Sequence, residues 1–595
     1  MKYIYLILII SFFTLFGILN TQAQKVDSLI VINSQYDSIL KSDHQEMDIL
    51  FYKHQNDVLI NNLGSFGSPS YYPTTFSLKH KNLIVEKDIL SKKLYKLSGF
   101  KPYSNVTYIN ASRKEQHFYL RHIQEWGKLL HFDFDFKKIS SPGAYLNQEV
   151  NTNLFEGALS FRSKKGNYSA KFSNGIYRDF YQQNGGLVDI EQYELELFDD
   201  AQNYSVNLSN SNSFIKKYSY ELGQHLDIVN FDSDTSIQKN IYLRHKVNYT
   251  TYQKVFFDND SSSSYYLNSY IDPVSSIDSI FSNTMSNTGY VGAMLKNISI
   301  ELFGQYDQIN YFQSFGLDTS FQNTYFGIES KFDKEELSIE GIAKYGMNGY
   351  RKGDIDIELN IVLDHAKYVI EGGAGYFINE ADLKFKNYSS NHFKWENIDL
   401  VKQSLLDINL GVKYKKLKLD FKVASKLLNN TLFYDSLGIA FQDSGQALIS
   451  SFLLAKDYRL LNFHFRTAFI YQITSDELLF PIPNVIGRQV LYYQKQIFKG
   501  AMKFQCGLSF SYSTNYFGYA YMPAINEFTK QGGGTEMGFY PRVDLFINTH
   551  LKRAQIFLKY EHFNSGRSLQ KSYLATGYPP MGKSLKFGIS WNMFD

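Results

Sequence analysis

The sequence predicts an all-β chain folded as one closed antiparallel transmembrane β-barrel of about 22–24 strands, with short periplasmic turns and longer extracellular loops. Three observations lead there. Runs of about ten residues alternate apolar and polar side chains from residue 104 to the end. The connections between them are short, then long, then short again. Beyond the N-terminal leader, no apolar run approaches the length of a membrane-spanning helix.

The leader comes first. "MKYIYLILIISFFTLFGILNTQAQ" carries one lysine, an apolar run from Tyr3 to about Leu19, and then small and polar residues. That is the layout of a secretory signal peptide over residues 1–23, with cleavage expected after Ala23. A retained anchor is the rival reading, and "NTQAQ" argues against it by supplying a processing site. The only cysteine, Cys506, is far from the cleavage point, so neither a lipid anchor there nor an internal disulfide framework is available. Export to the cell outer membrane is the expectation.

Residues 24–103 follow as an irregular periplasmic extension, ending in the Gly/Ser/Pro-rich "NLGSFGSPS" and a mixed stretch beyond it. Two readings stay open for it: a small plug tucked into the lumen, or an extended tail on the barrel rim. It is too short for the large plug domain of a TonB-dependent receptor, which argues against active uptake.

The barrel is then expected over residues 104–595. "HFDFDFK" sets its pattern: His131, Asp133, Asp135 and Lys137 fall on one face and Phe132, Phe134 and Phe136 on the other. Near the end, Asp544, Asn548 and His550 oppose Val543, Leu545, Ile547 and Leu551. On the next strand Gln555, Lys559 and Glu561 oppose Ile556, Leu558 and Tyr560. "KSLKFGISWNMFD" places Lys586, Gly588, Ser590 and Asn592 against Leu585, Phe587, Ile589, Trp591 and Met593. A soluble sandwich could carry such alternation for a few strands. Twenty-odd strands in one run must close or split, and in lipid only closure satisfies the edges. The polar sets are therefore expected to line a wet lumen and the apolar sets to face outer-membrane lipid.

Short turns are expected at Gly127, Lys164 to Gly166, Lys296-Asn297, Asp333 to Glu335, Asp364 to Ala366, Lys415-Lys416, near Asp457, and at Lys552-Arg553. The opposite connections read as long and polar, as over residues 256–284 and 377–397. Composition agrees. Aromatics make up 17% of the chain and prolines number 11 in 595 residues, with no Pro- or Gly-rich linker to divide domains. A formal charge of +3 becomes +2 once Lys2 leaves with the leader, too little to draw nucleic acid.

"NNLGSFGSPSYYPTTF" (61–76), "PYSNVTYINASRKEQHFYLRHIQEWGKLLHFDFDF" (102–136), "SPGAYLNQ" (141–148) and "YRDFYQQNGG" (177–186) resemble the putative porin family of Bacteroidota outer membranes. "YPPMGKSLKFGISWNMFD" (578–595) resembles the closing strand of barrels from that phylum, although Asp595 after Phe594 departs from the commonest ending. Terminal aromatics of this kind are what the outer-membrane assembly machinery recognises in many barrels. The resemblance implies an outer-membrane barrel of passive transport and supplies no catalytic residues.

No chemistry-bearing motif competes with that reading. His131, Asp133 and Asp135 share a face and could in principle hold a metal, but polar residues are expected on every lumenal face. "GGGT" (532–535) and "EGGAG" (371–375) open no helix, so they cradle no phosphate. No cofactor, metal or enzymatic activity is expected. The expected function is a pore for small polar solutes. A barrel serving secretion or surface assembly, with a protein partner at its extracellular loops, is the alternative.

Overall fold

A computed structural model describes residues 61–63, 68–71, 102–127, 129–230, 239–259, 264–566 and 572–594. The leader with Ala23, and most of the extension 24–103, lie outside the described residues.

Twenty-two antiparallel strands close into one barrel, from Tyr103–Ala111 to Ser584–Phe594. The expected class and the lower strand count are what the fold shows. Closure is direct: Tyr103 pairs with Phe594, Val106 with Trp591 and Asn110 with Phe587. A closed ring leaves no strand edge unpaired, which is the condition for crossing lipid with strands. Wall height varies around the ring. Ser211–Asn230, Lys239–Asp258 and Ser276–Leu295 each run 20 residues, whereas Ala554–Glu561 has 8.

Both chain ends of the barrel lie at the short-turn rim. There Leu295 turns to Ile298 through two residues, Leu460 to Phe463 through two, and Leu551 to Ala554 through two. The opposite rim carries the long connections 183–210, 259–275, 380–402, 430–445, 514–541 and 562–583. Some expected boundaries need correcting, among them the turn read at Asp333 to Glu335, which lies at Glu335-Glu336 because Asp333 and Lys334 end the strand Asp318–Lys334. The turn placed near Asp457 lies at Leu461-Asn462, because Asp457 belongs to the strand Gln446–Leu460 and its carboxylate meets Arg466 across the pair at 3.3 Å. A charged side chain with a cross-strand partner marks a strand interior, not a turn. The loop expected over 256–284 is also shorter, since the flanking strands extend to Asp258 and begin again at Ser276.

Several strands register a glycine directly against an aromatic ring. Gly588 pairs with Phe557, Gly292 with Tyr242 and Gly487 with Tyr512. A Cβ on Gly588 would stand 1.9 Å from the Phe557 ring, so the ring occupies the space a side chain would need. The missing side chain is thus replaced by the neighbour's packing.

Among the described residues, the largest apolar cluster belongs to loops, not to the wall. Short hairpins Asn387–Ser389 with Lys394–Glu396, Leu432–Tyr434 with Ala440–Gln442, and Ala520–Met522 with Glu527–Thr529 grow from three long connections. They bring Phe385, Tyr388, Phe393, Trp395, Tyr434 and Ile525 together against the wall residue Phe256. Tyr388 stacks on Trp395 at 4.6 Å and Phe385 on Tyr434 at 4.9 Å. Each such pair contributes about 0.5–1.5 kcal/mol beyond its buried area.

Candidate functional site: a cavity under folded loops

The connection 514–541 spans the mouth of the barrel. It leaves the nineteenth strand, yet its Ala524 and Ile525 carbonyls accept from the ammonium of Lys254 on the seventh, nearly opposite in a ring of 22. On the fifth strand's side, Gln183 Nε2 donates to Tyr521 Oη at 3.0 Å and Asn526 Oδ1 at 3.3 Å. The hairpin of connection 380–402 ties in through Lys384, whose ammonium meets Glu527 at 2.7 Å. Burial opposes the Lys384 charge, but Glu527 restores it and holds the group above the ordinary lysine range. The loops therefore interlock across the ring and do not stand apart in solvent.

The N-terminal segment joins them. Asn61-Asn62 pairs with Ser70-Tyr71, and Leu63 packs among Tyr519, Tyr521, Phe528, Ala575 and Tyr578 of two long connections. Gln148 Nε2 donates to the Leu63 carbonyl at 2.8 Å. Tyr103 starts the first strand at the opposite rim.

Below this assembly lies a cavity of about 560 Å³. Wall strands contribute Tyr181, Lys217, Tyr252 and Lys254, the loops contribute Arg351, Lys384, Trp395, Tyr434 and Glu527, and the N-terminal segment contributes Ser68 to Ser70. Arg351 pairs with Asp382 at 2.6 Å, and the Lys217 ammonium sits 5.5 Å from the Tyr252 ring. Among the described residues no group of three His, Cys, Asp or Glu is arranged to hold a metal ion.

None of the residues read from the sequence as lumen-lining belongs to this cavity. Those of the last strands meet elsewhere, at the seam. Lys559 contacts Asp544 at 3.1 Å and Glu561 at 2.9 Å; Lys586 contacts Glu561 at 3.3 Å and Glu115 at 2.6 Å. His117 Nε2 lies 2.8 Å from Glu115, which precedes the second strand. Burial alone would raise the Glu115 carboxyl, but the His117 hydrogen bond and the Lys586 charge outweigh it and hold the group below its usual range. Asn548 packs beside Gln505, and His550 pairs with Gln555 across the next strand. Asp133 is fully buried and Asp135 half-buried, with Arg121 at 3.6 Å and 3.7 Å respectively. His131 lies 3.9 Å from Glu125, and Lys137 is 5.3 Å from the Tyr119 ring.

The apolar sets behave differently. Phe587 and Trp591 are about half exposed, at 50% and 52%, and Ile547 and Leu558 are exposed beside them, with Leu545 and Ile589 half-buried. Phe132 stacks on Trp126 at 5.7 Å, Phe134 lies 6.3 Å from Phe155, and Phe136 lies 6.1 Å from Phe118.

Sequence reasoning missed the cavity for a physical reason: four of its six charged residues, Arg351, Asp382, Lys384 and Glu527, sit on connections, where no period exists. One signal was present. Tyr252, Lys254 and Phe256 alternate along one face of a strand, and a lysine between aromatics on the face that buries Phe256 completely must meet acceptors there.

These features define a closed, 22-stranded β-barrel of the outer-membrane type whose loops and N-terminal segment fill one mouth. Residues 37–595 match the putative porin family, and the chain belongs to it. The fold is shared with solved transport proteins at low identity. The FrpB iron transporter of Neisseria meningitidis aligns with a TM-score of 0.55 and 9% identity, covering 83% of this chain and 81% of that one. A mutant ferric enterobactin receptor of Pseudomonas aeruginosa, in complex with enterobactin, gives 0.56 and 9%, covering 84% and 82%. The siderophore receptor PirA of Acinetobacter baumannii gives 0.56 and 9%, covering 84% and 81%. No curated protein matches the chain.

Proposed function

We propose that this chain, exported by the leader 1–23 with cleavage after Ala23, is an outer-membrane channel through which small polar solutes diffuse passively along a water-filled lumen. The observation that carries the reading is the cavity between wall strands, folded loops and residues 68–70. In this reading His131, Asp133, Asp135, Lys137, Asp544, Asn548, His550, Lys559, Glu561 and Lys586 face the lumen, and Phe132, Phe134, Phe136, Leu545, Ile547, Leu558, Phe587, Ile589 and Trp591 face lipid. The contrast between buried ion pairs in the first set and exposed rings in the second supports it. The segment 24–103 acts as a small plug, and the packing of Leu63 among long-loop residues supports that choice over a rim position.

Uptake of a small solute also suits the names borne by the barrels of similar shape, which include an iron transporter and siderophore receptors. A second reading, a barrel serving secretion or surface assembly, has one feature in its favour. The connection 183–210 exposes Leu195, Leu197 and Phe198 beside Glu194, Glu196, Asp199 and Asp200. Large exposed apolar side chains rimmed by charge suit a protein contact.

Planar-bilayer recording on the purified full-length protein and on a form lacking residues 24–100 tests the channel. Conductance that rises on truncation supports both the channel and the plug. Conductance unchanged by truncation keeps the channel and removes the plug. Silence from both forms overturns the channel in favour of the partner-binding barrel.

A further inference from the structure

The charges that line the cavity are engaged, and several of its hydroxyls are not. Arg351 holds Asp382 at 2.6 Å, and Lys384 holds Glu527 at 2.7 Å. Lys254 donates to the Ala524 and Ile525 carbonyls and is faced by Glu527 and Asp278. The Lys217 ammonium lies 5.5 Å from the Tyr252 ring. A charged guest would shed its hydration here and find each opposite charge already taken. Such a lining favours a neutral solute.

The wall indicates what that solute carries. Ser219 pairs with Thr250, and Thr250 with Thr284, so three cavity residues form one row across adjacent strands. All three are half-buried, and none of their hydroxyls has a hydrogen-bond partner among the described residues. The next row toward the long-loop rim places Tyr252 beside Ser282, and Ser282 beside Tyr311.

The loops supply the other half. Tyr434 lines the cavity and is 6% exposed, yet its hydroxyl also has no hydrogen-bond partner among the described residues. A buried hydroxyl gains from any donor or acceptor that a guest brings to it. Trp395 beside it is held in place, its Nε1 donating to the Lys384 carbonyl at 2.9 Å and its ring stacked on Tyr388 at 4.6 Å. Fixed rings next to open hydroxyls suit a solute with flat C–H faces and hydroxyl edges. A volume of about 560 Å³ falls within the range of specific small-molecule sites and accommodates one or two sugar rings.

We infer that this cavity is a binding site for a neutral saccharide of one or two rings, its hydroxyls bonding to Tyr434 and to the row Ser219, Thr250 and Thr284, and its C–H faces lying on Trp395 and the adjoining tyrosines. The inference rests on the channel reading for the route by which the sugar reaches the cavity. Binding itself requires no conduction, so the two can fail separately.

The test uses purified full-length protein in a detergent without a sugar headgroup, titrated calorimetrically with glucose, maltose, cellobiose and lactose, and with glucuronate and glucosamine as charged counterparts. At least one neutral sugar is expected to bind at least tenfold more tightly than either charged one, with an affinity that added salt leaves unchanged. Tyr434→Phe and Thr250→Val remove hydroxyls while nearly keeping shape; each should weaken that sugar at least threefold, and together at least tenfold. Tyr573→Phe removes a hydroxyl that bonds Glu194 at 2.9 Å, away from the cavity, and should leave binding unchanged. Heat-modifiable gel mobility verifies that each variant is folded, and the comparison among sugars on the unaltered protein stands without them. Absence of binding by every neutral sugar, charged sugars binding as well as neutral ones, or an affinity indifferent to the folded double variant overturns the inference. Liposome swelling in glycine, run in parallel, reads the channel alone: swelling without sugar binding keeps the channel and discards the site, and sugar binding without swelling keeps the site and discards the channel.

Discussion

At the scale of single residues, the seam shows how costly charges are made tolerable. Lys586 is buried between Glu115 and Glu561, with contacts at 2.6 and 3.3 Å. Removing one member of a buried ionic group leaves its partners short of countercharge, typically at a cost of about 3–5 kcal/mol. Lys586→Met is therefore expected to destabilise the barrel by about that amount in urea unfolding, with part of the loss recovered by adding Glu115→Gln. A loss below about 1 kcal/mol would contradict the pairing. On the apolar side, Leu558 pairs with Ile547 and Phe587 across its two neighbours. If these face lipid near the bilayer midplane, Leu558→Arg should cost about 2–4 kcal/mol, read by heat-modifiable gel mobility, whereas tolerance would discard the lipid assignment. His562 supplies a pH dependence. Its Nδ1 lies 2.8 Å from the Met581 carbonyl and its Nε2 2.7 Å from Tyr540 Oη, an arrangement suited to the neutral ring with Nδ1 donating and Nε2 accepting. Burial, foremost among the causes, pushes the imidazole down to about 4. A histidine depressed when folded binds more protons unfolded, so its stabilisation is full above about pH 6.5 and is lost as pH falls toward 4. Acidification over that window should loosen connections 514–541 and 562–583, measured as faster proteolysis, and His562→Asn should flatten the response.

At the scale of elements, alternation of side chains located the strands of the wall, and connections offered no such guide. "HFDFDFK" and "KSLKFGISWNMF" both fall within strands, because a period of two leaves one register that buries one face. Near Asp457 the turn was misplaced since charged residues within a strand look locally like a polar knot until the partner strand is known. The hairpins at Asn387–Ser389, Leu432–Tyr434 and Ala520–Met522 carry three residues per strand, too few for any period to register. Their packing depends on neighbours distant in the chain, such as Phe256 for Trp395. Sidedness is the testable consequence. Leu267, 80% exposed on connection 259–275, should react as cysteine with a membrane-impermeant reagent on intact cells. Lys552→Cys, on a two-residue turn at the other rim, should react only after the outer membrane is permeabilised. Labelling of both from outside would reject the orientation.

At the scale of the whole molecule, the wall is uneven and the lining is mixed. Strands of 20 residues exceed the 9–11 that span a bilayer, so the flank built by Ser211–Asn230, Lys239–Asp258 and Ser276–Leu295 is taller than a bilayer requires. Seam charges nearly cancel, with Asp544, Glu561 and Glu115 set against Lys559, Lys586 and Arg542. With both signs present along the lining, the reversal potential of the open channel in a salt gradient is expected close to zero. A strong preference for either sign would contradict that balance.

The pairing of Tyr103 with Phe594 carries a last consequence, one of time. The hydroxyl of Tyr103 donates to Asn592 across a sequence separation of 489 residues. Contacts so distant in sequence form late, because the entropy of joining the ends is spent before any closure contact rewards it. Until the final dozen residues arrive, two strand edges and a growing apolar exterior remain unmatched, and such edges invite other chains. The chain therefore spends its vulnerable interval nearly complete, and losing its last strand would leave twenty-one correctly paired strands with nothing to close them.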